Sequence, residues 1–224
     1  MLDFFGYLNL VDVTKVIVAG GGVLNGTIAL LSLLGPEGVL WPGTGPAAMV
    51  AVIVSLIPEV GWLGVPAAMG VGLACGLANG ILISALKLPP FIVTLGSLTA
   101  VRGIARLLGN DTTVFNPDLP FDVIGNGSLF GIPWLAIIAF VVVLASWFVL
   151  KRTVLGTWIY ATGGNPEAAR LTGIKVPLVL LFVYGISGLF AGLGGAMAAA
   201  RLYAANGLQL GQAYELDAIA AVIL

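Results

Sequence analysis

The sequence predicts an all-α protein, a polytopic bundle of transmembrane helices. Of its 224 residues, 59% are hydrophobic and only 8% are charged, and the mean hydropathy is +1.11. A soluble domain carries about 25% charged residues, so this chain lacks the polar surface that water requires. Its apolar residues also form long charge-free runs, which are separated by clusters of Pro, Gly and Trp. This pattern indicates several membrane crossings.

The apolar runs predict six spans and the beginning of a seventh, because a crossing helix needs about 20 apolar residues. The second span is short, and its entry from Trp41 to Pro46 is rich in Gly and Pro. The fourth span carries Arg102 and Arg106 in its second half. The predicted spans are 16–35, 43–58, 62–86, 90–108, 131–150 and 177–200, and the seventh begins near Tyr214.

The distribution of charge predicts the orientation, because cytoplasmic loops carry an excess of Lys and Arg. Segment 151–175 contains four basic residues and one acid, Glu167, whereas segment 109–122 contains three aspartates and no base. Loop 151–176 is therefore expected in the cytoplasm and loop 109–130 in the periplasm. Counting spans backward places the first residue outside, yet the N-terminus lacks the basic region of a signal peptide. We therefore expect this chain to be a fragment of a longer protein.

Composition disfavours several classes of function. There is no histidine, which excludes a Ser-His-Asp arrangement. Cys75 is the single cysteine, so an internal disulfide and a cysteine zinc cluster are excluded, and no metal site is expected. The acids lie at segment ends and are not paired, which disfavours a membrane-embedded enzyme. The net charge of −1 gives no sign of a nucleic-acid partner.

The centre of loop 151–176 has the pattern of a short, capped helix. Asn165 is a good N-cap, and Pro166 suits the first helical position, where its missing N–H has no cost. Glu167 favours the positive end of the helix dipole and Arg170 the negative end. Gly173 is suited to the left-handed residue that stops a helix.

The residues around this pattern complete the prediction. Gly163 and Gly164 are expected to make a sharp entry turn, and Ala168 and Ala169 are expected to favour the helix. A helix of two turns is unstable alone. It must therefore pack either on its own bundle or on a cytoplasmic partner.

The run Tyr160–Ile174 resembles the coupling-loop signature of ABC importer permeases of the ribose, xylose and galactose class. Three further stretches are similar to the same family in order and spacing, from about residue 60 to the end. They are Leu88–Gly96 followed by Arg102-Gly103, Arg152-Thr153 with Gly156, and Tyr214–Val222. The first 60 residues match less well, because a family stretch similar to Gly-Gly-Ile-Asp-Leu-Ser-Val-Gly has only glycine-rich approximations here.

This resemblance implies that residues 1–224 are one transmembrane permease domain in the bacterial inner membrane. It implies a second permease subunit, two cytoplasmic ATP-binding subunits and a periplasmic sugar-binding protein as partners. The chain contains no G-x-x-x-x-G-K-[ST] phosphate loop, so ATP and Mg are expected on the partner ATPase, with no cofactor in this chain. Glu167 and Arg170 are the expected polar contacts with the ATPase, and Ala168 and Ala169 are expected to permit its close approach.

Polar residues at membrane depth are candidates for the translocation pathway, since burying them in lipid is costly. Arg102 also has a structural interpretation, in which its side chain extends to the outer interface. The pathway candidates are Asn79, Phe91, Thr94, Ser97 and Arg102.

Two ridges of small residues recur at every fourth position and allow close helix packing. Packing within one subunit is the favoured use, and contact between subunits is the alternative. The ridges are Gly72, Gly76 and Gly80, and Gly188, Gly192 and Ala196.

Two other kinds of transporter remain as alternatives. An ABC permease for branched-chain amino acids or nucleosides would have a similar loop. An ion-coupled secondary transporter would need carboxylates or broken helices near the midplane, and no acid lies deep in the predicted spans.

Overall fold

The computed structural model describes residues 44–57, 59–129 and 131–206. The described part is built of eight α-helices, one 3-10 turn (Gly61–Leu63) and four strands of two residues each. The helices are α1 (Thr44–Ser55), α2 (Gly64–Ser84), α3 (Pro90–Leu108), α4 (Asp122–Asn126), α5 (Trp134–Arg152), α6 (Val154–Gly164), α7 (Pro166–Leu171) and α8 (Val176–Leu202). The strands are β1 (Val114–Phe115), β2 (Ser128–Leu129), β3 (Ile132–Pro133) and β4 (Ala204–Ala205).

Three helical segments in the described part are long and apolar enough to cross a membrane: Gly61–Ser84, Trp134–Arg152 and Val176–Leu202. They coincide with the predicted spans 62–86, 131–150 and 177–200. Helix α3 matches the predicted span 90–108 in extent but is not among the three, and Arg102 and Arg106 lower its hydropathy.

The described helix α1 lies within the predicted span 43–58 and has 12 residues, which rise about 18 Å. The residues before Thr44 lie outside the described part, so a crossing over 43–58 stays a prediction. The predicted span 16–35 and the seventh span near Tyr214 lie outside the described residues.

Helices α2 and α8 run antiparallel and touch through their backbones. A side-chain Cβ added at Gly72 would overlap the carbonyl oxygen of Gly188 and lie 2.8 Å from the backbone nitrogen of Gly192. Further along, a Cβ at Gly80 would lie 3.2 Å from the Cα of Leu181. All six ridge residues are buried. The two ridges therefore pack within one subunit, as the favoured interpretation predicted.

The segment between α3 and α5 folds over one end of this helix pair. Leu119 and Phe121 join a core cluster of five alanines from α1, α2 and α8. The amide of Asn116 donates to the carbonyl and hydroxyl oxygens of Ser55 at 3.1 and 2.9 Å, and that of Asn126 donates to the Ala200 carbonyl at 3.0 Å. Strand β1 pairs with β4 in an antiparallel register. Residues 109–129 of the predicted loop 109–130 thus form a folded cap.

Loop 151–176 lies at the opposite end of the bundle, since α5 leads to it from the cap and α8 returns from it. The exposed basic residues of that end are Lys87, Lys151, Arg152, Arg170 and Lys175. The acids of the capped end are Glu59, Asp111, Asp118 and Asp122, of which Asp122 is half-buried and the others exposed. The capped end also carries two exposed basic residues, Arg106 and Arg201. The excess of basic charge therefore lies at the end of loop 151–176 and the excess of acidic charge at the capped end, which is the difference on which the predicted orientation depends.

Candidate functional site

The candidate site is α7, whose N-terminus has the predicted cap. The side-chain oxygen of Asn165 accepts hydrogen bonds from the backbone N–H groups of Glu167 and Ala168, at 3.1 and 3.0 Å. Pro166 occupies the first helical position. Two of the N–H groups that a helix start leaves unpaired are therefore satisfied within the loop.

The C-terminus of α7 is closed by the predicted glycine. Gly173 adopts a φ of +86°, a region that residues with a Cβ rarely occupy. Its N–H donates to the Arg170 carbonyl at 3.0 Å, and the N–H of Ile174 donates to the Ala169 carbonyl at 3.1 Å. This pair of bonds is the Schellman motif, and it directs the chain from α7 into α8.

The face that α7 presents to solvent is polar at its centre. Glu167 and Arg170 form an ion pair of 3.5 Å, and 80% and 45% of their side chains are exposed. Such a surface pair contributes at most about 1 kcal/mol to stability, so both charges remain available to a partner. Ala168 is exposed beside them, and Leu171, which sequence reasoning overlooked, is 91% exposed.

Two details of the predicted loop are wrong. Ala169 does not permit close approach of a partner, because only 3% of it is exposed and it faces its own bundle. Gly163 and Gly164 do not form an entry turn, because they are the last residues of α6. The turn is made by Asn165 itself, whose backbone is extended with φ −156° and ψ 102°.

The prediction also missed α6, the helix that precedes α7. Ile159 of α6 is buried with Val179 and Val183 of α8, and Leu150 and Ile174 pack against this cluster. Thr153 caps the helix by accepting from the Gly156 N–H at 3.3 Å. A Thr N-cap before the apolar run Val-Leu-Gly-Thr-Trp-Ile-Tyr-Ala was the available signal. Loop 151–176 is therefore a compact pair of helices fixed to the bundle.

The candidate pathway residues lie elsewhere, around a cluster formed by Ile83, Val93 and Tyr184 of α2, α3 and α8. Asn79 lies one helical turn before Ile83 in α2 and is 2% exposed, and Thr94 directly follows Val93 in α3 and is 1% exposed.

The remaining candidates lie along α3. The hydroxyl of Thr94 donates to the Pro90 carbonyl at 2.9 Å, and that of Ser97 to the Thr94 carbonyl at 3.0 Å. Arg102 is half-buried further along the helix, and the side chain of Phe91 lies outside the described residues. No group of three or more metal-binding side chains occurs among the described residues.

The sequence matches one protein family over most of its length. The family described as branched-chain amino acid transport system / permease component matches residues 34–224. The chain belongs to this family. As a member, it is a helical membrane permease, which agrees with the three apolar helices.

Curated relatives of this permease carry the names of sugar importers. It is 38% identical over 167 residues to a fructose import permease protein of Bifidobacterium longum, covering 73% of this chain and 47% of that protein. It is 40% identical over 148 residues to a ribose import permease protein of Bacillus subtilis, covering 65% of this chain and 46% of that protein. Against the ribose import permease protein of Escherichia coli the identity is 37% over 219 residues, covering 96% and 63%.

The chain spans about half the length of the first two of these relatives. No solved structure matches it.

Proposed function

We propose that this permease is the membrane-spanning subunit of an ATP-driven ABC importer that carries a monosaccharide across the bacterial inner membrane. The observation that carries the proposal is α7, a helix of six residues capped at both ends that presents charged side chains at the basic end of the bundle. The relatives' names, which print ribose and fructose import, support the substrate class.

In this proposal α7 is the coupling helix and docks into a cytoplasmic ATPase subunit. Its docking face consists of Glu167, Ala168, Arg170 and Leu171, all exposed. Because the face combines two charged with two apolar side chains, it offers both polar specificity and apolar contact area. ATP and Mg are bound by the ATPase, and this chain contributes no cofactor.

The packing around α7 explains how ATPase movement would reach the membrane. Ile174 connects α7 directly to the buried cluster at the start of α8, and α6 connects it to the end of α5. Because Ile159, Val179 and Val183 are buried and Leu150 and Ile174 pack against them, α7 moves together with the attached ends of both helices. That is a rigid-body transition biased by a ligand, here ATP on the partner.

The remaining partners follow from the same assembly. We place loop 151–176 in the cytoplasm and the cap formed by 109–129 in the periplasm, where a sugar-binding protein would dock. A second permease subunit completes the pathway.

A second candidate substrate class is branched-chain amino acids, which the description of the matching family names. Uptake of labelled ribose, fructose and leucine by cells that carry the importer separates the two. If leucine uptake is saturable and ATP-dependent and neither sugar is taken up, the monosaccharide proposal is refuted and branched-chain amino acids are the substrate class.

The coupling helix is tested by capturing the ATPase subunit on the purified permease. The double variant Glu167→Lys/Arg170→Glu keeps the net charge and an ion pair but reverses the charges that the partner meets. We expect it to lose capture by at least tenfold. Its matched control is Arg106→Asp/Asp111→Arg, which reverses a similarly exposed 3.4 Å pair at the capped end and should capture normally. Equal capture by both variants would contradict the docking role of α7.

A further inference from the structure

Helix α6 exposes an apolar surface that the coupling role of α7 does not explain. Its 11 residues include no charged side chain. Val154, Leu155 and Trp158 lie within one side of the helix and are 64%, 38% and 41% exposed. Ile159, one turn after Leu155, borders this side and is only 5% exposed, because it packs against Val179 and Val183 of α8. Three large apolar side chains on so short a helix are unfavourable in water, so this face is covered in the working protein.

The length of α5 sets the depth of this surface in the bilayer. Helix α5 has 19 residues and rises about 28 Å, close to the ~30 Å thickness of the hydrocarbon core. Among the described residues, only Val142 of α5 is buried by the rest of the structure, and the helix is apolar enough to cross a membrane. It begins at Trp134 and ends at Lys151 and Arg152, residue types that anchor helices at the two interfaces.

Helix α6 therefore starts at the level of the lipid headgroups. One residue, Thr153, separates it from Arg152, and Thr153 bonds both to the end of α5 and to the start of α6. The first turns of α6 cannot extend far from the membrane plane before Trp158 is reached. The docking face of α7 begins nine residues after Trp158, at Glu167.

The charges beside this surface are basic and uncompensated. Lys151 and Arg152 are exposed, and neither has an ion pair within the described residues. Glu167 is the single acid of segment 151–176, and it pairs with Arg170. A basic pair beside an apolar helix face matches a phospholipid that has an anionic headgroup and acyl chains.

We propose that the face Val154–Leu155–Trp158 lies in the headgroup region of the bilayer and that Lys151 and Arg152 bind an anionic phospholipid there. The lipid surface, rather than the ATPase, covers this face. The leaflet is the cytoplasmic one if the orientation in the proposed function holds, but lipid binding itself does not depend on ATPase docking.

The first test measures lipid binding by thermal unfolding of the purified chain in detergent. Phosphatidylglycerol should raise the unfolding temperature more than phosphatidylcholine does. Lys151→Gln/Arg152→Gln should lower the apparent affinity for phosphatidylglycerol roughly 25-fold, since each basic residue near a membrane surface contributes about a fivefold factor. Arg106→Gln/Arg201→Gln removes the same charge from exposed positions at the capped end and should respond as wild type. An unchanged response of the first variant would overturn the proposal.

The second test locates the face directly and separates it from the ATPase site. In nanodiscs, Trp158 as the single tryptophan should be quenched by lipids brominated near the headgroup, and addition of the ATPase subunit should not change its emission. A second variant carries Leu171→Trp, with Trp158 and the other tryptophans replaced by Phe. Its emission should not be quenched by the brominated lipids and should change when the ATPase subunit is added.

The outcomes of the second test distinguish the two proposals. Absence of quenching at Trp158 together with shielding by the ATPase would overturn the lipid proposal. Quenching at Trp158 with no ATPase effect on the Leu171→Trp variant would support lipid binding while refuting α7 docking.

Discussion

Single residues at the α2–α8 contact determine how closely these helices approach. Gly72→Ala places a methyl group against the Gly188 carbonyl, so the helices must separate along their whole contact. We expect a loss of about 1–3 kcal/mol in unfolding free energy, the usual cost of overpacking, measured by thermal unfolding in detergent. Gly70→Ala is the control on the same helix, because an added Cβ there meets nothing within 4 Å. Equal unfolding temperatures for both variants would refute the close contact.

Thr162 is a buried residue whose hydroxyl costs stability. It is 6% exposed, and its hydroxyl oxygen has no hydrogen-bond partner within the described part of the chain. An unsatisfied buried polar atom costs about 1–3 kcal/mol, so Thr162→Val, which preserves the shape, should stabilise the protein by about 1 kcal/mol.

Thr153→Val is the matched control, since that hydroxyl donates to Val149 at 2.6 Å and accepts from Gly156 at 3.3 Å. It should destabilise the protein by about 1 kcal/mol through loss of a cap. Thermal unfolding of both variants decides the point, and a lower unfolding temperature for Thr162→Val would show that its hydroxyl has a partner.

At the scale of elements, α7 was predictable and α6 was not recognised. Asn165, Pro166 and Gly173 each restrict the backbone locally, so the bounds of α7 follow from neighbours in sequence. Helix α6 has a local start signal in the Thr153 cap, but the side that it buries is set by the contact of Ile159 with α8, between residues about 20 positions apart. The position of Gly163 and Gly164 inside α6 was missed because packing overrides the turn preference of glycine.

The stability of α7 as an element should depend on its two caps. Asn165→Ala removes both N-terminal bonds, and Gly173→Ala forces a Cβ into a left-handed conformation, each at a cost of about 1 kcal/mol. Backbone amides of residues 167–171 should then exchange hydrogen several-fold faster, measured by mass spectrometry, while amides in the middle of α8 should not change. Gly164→Ala is the control, since its added Cβ meets nothing within 4 Å. Unchanged exchange in the cap variants would mean that packing of Ala169 alone maintains α7.

At the scale of the whole molecule, hydropathy predicted the bounds of the long helices but not how the segments between them fold. It placed the bounds of the three long apolar helices within about three residues, because lipid requires long apolar runs. It did not reveal that the segment after α3 folds back on Ala200 and Ser55. That arrangement rests on contacts between residues more than 60 positions apart, which no local pattern records.

The separation of charge between the two ends predicts which end faces the cytoplasm. In a background without the native cysteine (Cys75→Ala), Asp118→Cys and Ala168→Cys place single thiols at exposed positions of the cap and of α7. A membrane-impermeant maleimide added to intact spheroplasts should label the first variant, and should label the second only after the membrane is opened. Both thiols are exposed in the fold, so a difference in labelling reports the side of the membrane rather than burial. Labelling of Ala168→Cys from outside would show that the orientation is the opposite one, with α7 outside the cell, where no cytoplasmic ATPase could bind it.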